Sequence, residues 1–130
     1  MQVSQITQIL AVGAGGFVGA SARYLMSGAI HRLVPASSFP IGTLVVNSLG
    51  CLVIGLVGGL MEARHVLGPN ERLFLLIGVL VGFTTFSTFA WETLGLAEPA
   101  QFGRAALNVA LQVTLGLGAA WIGIQIARSV

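Results

Sequence analysis

The chain has 130 residues, of which 55% are hydrophobic and only 8% are charged, and its mean hydropathy is +0.93. Soluble domains carry about 25% charged residues, so we expect the surface of this chain to face lipid rather than water. The net charge of +2 is the difference between six arginines, which are spread along the sequence, and four glutamates. This spacing excludes the basic cluster that a nucleic-acid partner would require.

Four apolar windows follow one another along the chain, and each is long enough to cross a bilayer. A spanning helix needs about 20 mostly apolar residues. The windows cover residues 6–30, 41–61, 73–96 and 105–127. They are long and lack the alternation typical of barrel strands. The sequence therefore predicts an all-α membrane protein, with residues 1–130 forming a single transmembrane domain.

The first predicted helix carries small residues four apart and one charge. Gly15 and Gly19 form a G-x-x-x-G pair, a pattern that lets helices approach closely in lipid. Arg23 lies in the second half of this helix, and a charged residue within a membrane is a functional candidate by default. The alternative is that Arg23 snorkels to the interface beside Tyr24, and both interpretations stay open.

Helices two and four each carry a pair of polar residues at helical spacing. Thr43 and Asn47 are four apart in helix two, and Asn108 and Gln112 are four apart in helix four. Each pair lies on one helix face. Buried amides commonly join membrane helices to one another. The two pairs could equally line a polar route shared with helix three.

The third predicted helix contains the stretch Gly82–Phe89, which is uncharged and includes four hydroxyls. Thr84 lies about 16 Å from Leu73 along a helix, near the midplane of a hydrocarbon core ~30 Å thick. Four hydroxyls in five positions cannot share one face, so the helix is either locally broken or polar on several sides. A break would free backbone carbonyls near the midplane, where they could hold a cation.

Two phenylalanines and a glutamate extend this stretch. Phe86 and Phe89 are three apart and share a face, which is ordinary for packing. Beside the hydroxyls, ring edges turned to a pathway would favour an anion, whereas ring faces would favour a cation. Glu92 is four residues after Thr88, so it is either an interfacial carboxylate or a residue at a pathway mouth.

The polar residues together predict a function in transport. Hydroxyls and amides donate hydrogen bonds without fixed positive charge, which suits a small hydrated anion that must be bound and then released. A proton-coupled multidrug-type exporter of four helices is the main alternative, but it needs a carboxylate deep in helix one. A membrane subunit without transport activity would leave the hydroxyls unexplained, and no set of residues points to an enzyme.

The arginines also bear on assembly. Arg64, Arg72 and Arg128 lie on one side of the predicted topology, whereas Arg32 and Arg104 lie on the other. Because arginine bias orients membrane proteins, so small a bias favours either a weak preference or insertion in both directions as an antiparallel homodimer.

At these residues the chain closely resembles the Fluc (CrcB-type) fluoride channels, small proteins of the bacterial inner membrane. The resemblance covers essentially the whole length. Three motifs carry it, namely Gly19-Ala20-Ser21-Ala22-Arg23-Tyr24, Gly42-Thr43-Leu44-Val45-Val46-Asn47 and the run Gly82–Phe89. It implies passive export of fluoride through a dual-topology antiparallel homodimer with two pores.

The resemblance also implies roles for particular residues. Phe86 and Phe89 match pore phenylalanines whose edges face the ion, and Asn47 matches a pore asparagine. Ser87 and Thr88 match a hydroxyl track beside the rings, Glu92 matches a carboxylate near the pore, and Arg23 matches an arginine of the vestibule. A structural Na⁺ is implied at the dimer centre, held by backbone carbonyls in the region of Gly82 to Thr84.

Overall fold

The computed structural model of the protein describes residues 3–98 and 100–130, and the described elements are all helical. Four helices in this part of the chain are long and apolar enough to cross a membrane, which confirms that prediction. They span Ser4–Leu33, Ile41–Arg64, Pro69–Ala97 and Phe102–Ser129. Helix α1 covers Val3–Leu33 and helix α2 covers Ile41–Arg64.

Every helix extends beyond the apolar window that predicted it. Arg32, Arg64 and Arg128 therefore lie in last helical turns rather than in connections. Arginine and glutamate favour helix nearly as well as leucine does. The helices therefore continue past the ends of the apolar windows. The long arginine side chains place their charge at the interface while the backbone stays helical.

The third span is assembled from four segments. Helix α3 (Pro69–Arg72) begins with proline at its first turn and leads into a π-helical stretch, Leu73–Leu80. Helix α4 covers Val81–Phe83 and helix α5 covers Phe86–Ala97. Between them Thr84 and Thr85 have extended backbone conformations.

The helices pack in two close pairs. Helix α2 packs mainly against helix α6 (Phe102–Ser129), and α1 packs against the π-helical stretch and α4. Gly15 and Gly78 meet in the second pair, where a Cβ added to Gly78 would lie 2.7 Å from the Gly15 Cα. The small residues thus allow backbone contact between the spans, as the G-x-x-x-G pattern predicts for close helix packing.

The outer surface is apolar. Phe17 and Trp91 are 75% and 80% exposed, and many leucine, isoleucine and valine side chains on all four spans also face outward. Water would oppose this exposure, whereas lipid tails or a second copy of the chain would cover it. The fold therefore presents large apolar side chains to its surroundings on every span.

Candidate functional site

The site is built around the extended residues Thr84 and Thr85. Thr84 has φ −84° and ψ 159°, and Thr85 has φ −152° and ψ 117°. The Thr84 backbone N–H and hydroxyl both donate to the Leu80 carbonyl, each at 3.1 Å. Thr84 therefore completes the end of α4 with its own side chain, a common arrangement for threonine in membrane helices.

Asn47 of α2 forms hydrogen bonds with both backbone groups of Thr85. Its Oδ1 accepts from the Thr85 N–H at 2.8 Å, and its Nδ2 donates to the Thr85 carbonyl at 3.1 Å. The same Nδ2 also donates to Gln112 Oε1 of α6 at 3.1 Å. One amide thereby satisfies both backbone groups of an extended residue that would otherwise be costly inside a membrane.

Three hydroxyls gather where α5 begins. The Thr85 hydroxyl oxygen accepts from the Thr88 N–H at 3.2 Å, so Thr85 is the N-cap of α5. Its hydroxyl donates to Thr88 Oγ1 at 3.0 Å and lies 3.3 Å from Ser87 Oγ. The predicted hydroxyl residues Ser87 and Thr88 are thus joined through Thr85. Thr85 belongs to the polar run of the sequence but is not among the predicted pore residues.

Phe86 and Phe89 lie in contact. Their ring centroids are 5.4 Å apart and their planes meet at 63°, which is an edge-to-face arrangement. Phe89 is half-buried, whereas Phe86 is 79% exposed. Both rings line a cleft of about 320 Å³ together with Asn47, Thr85 and Gln112. Aromatic rings and hydrogen-bonding groups therefore face the same space.

Thr85 also lines a second cleft, of about 470 Å³. Its lining includes Arg23, Thr43, Thr85 and Thr88, together with His31 and Arg32 at the end of α1. Among the described residues, Arg23 Nε is buried and makes no hydrogen bond. Because Thr85 lines both clefts, the two spaces adjoin at the extended segment.

Glu92 lies nearer the end of the third span and is bonded to α2. The Thr43 hydroxyl donates to Glu92 Oε1 at 2.7 Å, whereas Glu92 Oε2 is buried and has no partner in the described part of the chain. Glu92 also lines a third cleft of about 380 Å³ with His31, Ser37 and Gln101. Thr43 lines the cleft that contains Arg23, and Glu92 lines the third cleft. The hydrogen bond between these two residues therefore links the two clefts.

The two amides predicted on helix four have different surroundings. Gln112 faces the phenylalanine cleft. Asn108 is fully buried, and its Nδ2 donates to Thr93 Oγ1 of α5 at 2.8 Å. Asn108 therefore joins α5 to α6. The partner, Thr93, was not predicted, although it follows Phe89 by four residues, the spacing of a shared helix face.

The predicted cation-binding region, Gly82 to Thr84, lies at the interruption of the third span. The Thr85 N–H would bond to the Val81 carbonyl in a continuous helix, but it bonds to Asn47 instead. The extended backbone at residues 84 and 85 likewise carries the next N–H groups away from the carbonyls of Gly82 and Phe83. Backbone carbonyls are suitable ligands for hard cations. Within the described residues there is no cluster of three or more acidic, histidine or cysteine side chains that could hold a metal ion.

These features define a multi-pass membrane protein whose uncharged polar groups line adjoining clefts between its helices. The chain belongs to the CrcB-like family, because the model of that family, described as CrcB-like protein, Camphor Resistance (CrcB), matches residues 10–124. The resemblance stated from the sequence motifs is thereby confirmed.

Similar proteins from several organisms carry the name fluoride-specific ion channel FluC. The protein from Nitratidesulfovibrio vulgaris (strain Miyazaki F) is 45% identical over 95% of this chain and 98% of its own length. Those from Maridesulfovibrio salexigens and Geobacter sulfurreducens are 44% and 45% identical, over 92% and 95% of this chain and 94% and 98% of their own lengths. The similarity therefore extends across all four spans.

Proposed function

We propose that this protein is a fluoride-selective ion channel that lets fluoride leave the cytoplasm passively and so protects the cell from fluoride. The observation that carries the proposal is the pairing of uncharged donors with two phenylalanine rings at the interruption of the third span. Hydroxyl and amide donors can replace part of the hydration shell of a small anion and still release it, because they carry no full charge. The names of the relatives supply the identity of the ion.

The proposed route follows the adjoining clefts. Fluoride enters the cleft beside Arg23, whose positive charge attracts an anion. It then passes the hydroxyls of Thr88 and Ser87 and the ring edges of Phe86 and Phe89, which are positively polarised. Asn47 lies beside the rings. Thr43 and Glu92 lie toward the mouth of the route, where the Thr43 hydroxyl donates a hydrogen bond to the Glu92 carboxylate.

The functional unit that we propose is an antiparallel homodimer in the bacterial inner membrane. The nearly balanced arginines favour insertion in both directions, and the 79% exposure of the Phe86 ring leaves it open to a second copy. Surrounding lipid covers the remaining apolar surface. The broken third span serves the assembly, since the carbonyls of Gly82 and Thr84 would hold Na⁺ at the dimer centre. Bound Na⁺ would supply a fixed positive charge between the copies.

A proton-coupled exporter gains no support. That mechanism needs a titratable carboxylate deep in the first helix, and residues 3–33 contain no aspartate or glutamate. The proposed activity also assigns no catalytic residue.

Efflux from liposomes tests the proposal directly. The purified full chain is reconstituted into liposomes loaded with potassium fluoride or potassium chloride, and release is followed with ion-selective electrodes after adding valinomycin. We expect rapid loss of fluoride and scarcely any loss of chloride, with protein-free liposomes as the control. Absence of fluoride release, or equal release of both ions, would contradict the proposed function.

A further inference from the structure

The donors of Asn47 are fully used within the protein. An asparagine amide has two N–H donors, and Asn47 directs them to the Thr85 carbonyl and to Gln112 Oε1. Its oxygen accepts from the Thr85 N–H. Asn47 therefore has no N–H left for an anion in the cleft.

The backbone fixes the orientation of both amides. The Thr85 N–H can only donate, so the atom of Asn47 that receives it, at 2.8 Å, must be the oxygen. The nitrogen of Asn47 then faces Gln112, and the atom of Gln112 that it meets must in turn be an acceptor oxygen. The Nε2 of Gln112 is therefore the amide nitrogen of the pair that does not take part in these bonds.

Gln112 Nε2 is the donor that remains. Within the described residues it is buried and has no hydrogen-bond partner. Gln112 lines the cleft that also contains the rings of Phe86 and Phe89. A buried N–H without an acceptor is unfavourable, and an acceptor entering this cleft would relieve that cost. An anion between polarised ring edges and a free amide would find donors on two sides.

We propose that Gln112 donates its Nε2 hydrogens directly to fluoride in the phenylalanine cleft, and that Asn47 is a positioning residue that holds both Gln112 and the extended Thr85. The inference rests on the proposed function and refines it, because it transfers the role of amide ligand from helix α2 to helix α6.

Side-chain amide NMR distinguishes the two roles. The protein is labelled with ¹⁵N-glutamine and ¹⁵N-asparagine, placed in lipid nanodiscs and titrated with sodium fluoride; the Gln112→Met and Asn47→Ala variants assign the two signals. We expect the Gln112 amide protons to move downfield in a saturable manner while those of Asn47 stay in place. Sodium chloride at the same concentrations is expected to have no effect. A stationary Gln112 signal, or movement of Asn47 alone, would overturn the assignment.

Flux through a matched pair of α6 variants gives a second test. Gln112→Met keeps the length of the side chain but removes the donor, and its fluoride efflux should fall by about tenfold or more, as loss of a hydrogen bond to a charged group predicts. In this variant Asn47 keeps its two bonds to Thr85 but loses Gln112 Oε1, the acceptor of its other N–H. Thr114→Val is the control, because the Thr114 hydroxyl donates to its own helix at Ala110 O, at 2.6 Å.

Thermal unfolding in detergent accompanies the flux measurement. We expect Gln112→Met, which removes one bond of Asn47, to lower the midpoint less than Asn47→Ala, which removes all three. Asn47→Ala should lower both the midpoint and the flux. Undiminished flux in folded Gln112→Met would contradict the inference. Failure of the proposed function is a separate result, because the wild-type liposomes would then release no fluoride at all.

Discussion

At the scale of single residues, a side-chain amide has different structural roles according to the groups that it contacts. Asn47 and Asn108 both sit four residues from another polar side chain, and the sequence predicts only that each pair shares a face. Asn47 bonds to the backbone of Thr85 and to the side chain of Gln112, so it holds an extended segment in place beside α6. The partner of Asn108 is the hydroxyl of Thr93, so it joins two helices. Spacing along one helix cannot reveal which partner lies opposite.

The bond between Asn108 and Thr93 should contribute measurably to stability. Interhelical hydrogen bonds in membranes average about 0.6 kcal/mol and reach about 1.7 kcal/mol. A double-mutant cycle with Asn108→Leu and Thr93→Val, measured by unfolding in mixed micelles, should give a coupling energy in that range. Fluoride efflux should change little in either variant that folds. A coupling energy of zero would show that the two side chains act independently.

The exposed ring of Phe86 should matter for permeation. Edge interactions of aromatic rings contribute about 0.5–1.5 kcal/mol, so Phe86→Ile should slow fluoride efflux by roughly 2- to 10-fold while the dimer persists on a sizing column. Phe102→Ile is the matched control, because Phe102 is also exposed but lies at the start of α6, outside the clefts around Thr85. Equal flux in the two variants would remove Phe86 from the proposed pathway.

At the scale of elements, hydropathy predicted the four helices because each must satisfy its backbone within lipid. The crowded hydroxyls of residues 84–88 pointed to an irregular third span for a local reason, since they cannot share one face. The partner that holds Thr85 could not be predicted, because Asn47 lies 38 residues away. The π-helical stretch Leu73–Leu80 was not predicted either, since a run of apolar residues has the same pattern in either kind of helix.

Close packing of α1 against the third span should make Gly15 intolerant of a side chain. A Cβ at Gly15 would meet the Phe74 carbonyl and would lie 2.8 Å from the Gly78 Cα, and neither backbone atom can move aside easily. Gly15→Ala should therefore lower the free energy of unfolding by about 1–3 kcal/mol, the usual cost of overpacking. The control is Gly13→Ala, where a Cβ would meet nothing within 4 Å. Unfolding in mixed micelles measures both, and equal stability would argue against this packing.

At the scale of the whole molecule, the positions of the arginines bear on how the chain is oriented in the membrane. The arginines lie near the helix ends, apart from Arg23, so they can set orientation without disturbing the clefts. Arginine bias decides which end of a small membrane protein stays inside the cell. With Arg64, Arg72 and Arg128 facing Arg32 and Arg104 across the membrane, few substitutions should suffice to impose one orientation.

Two oppositely biased variants test the antiparallel dimer. One carries Ala36→Arg, Ser38→Arg and Arg128→Gln, which favours keeping the first and third connections inside. The other carries His65→Arg and Ser129→Arg, which favours keeping the termini inside. If the channel needs copies of opposite orientation, cells lacking their own fluoride channel should remain fluoride-sensitive with either variant alone. They should regain resistance when both variants are co-expressed, because opposite orientations are then present together. Full resistance from each variant alone, with impermeant labelling of an added terminal cysteine confirming its single orientation, would contradict the antiparallel arrangement.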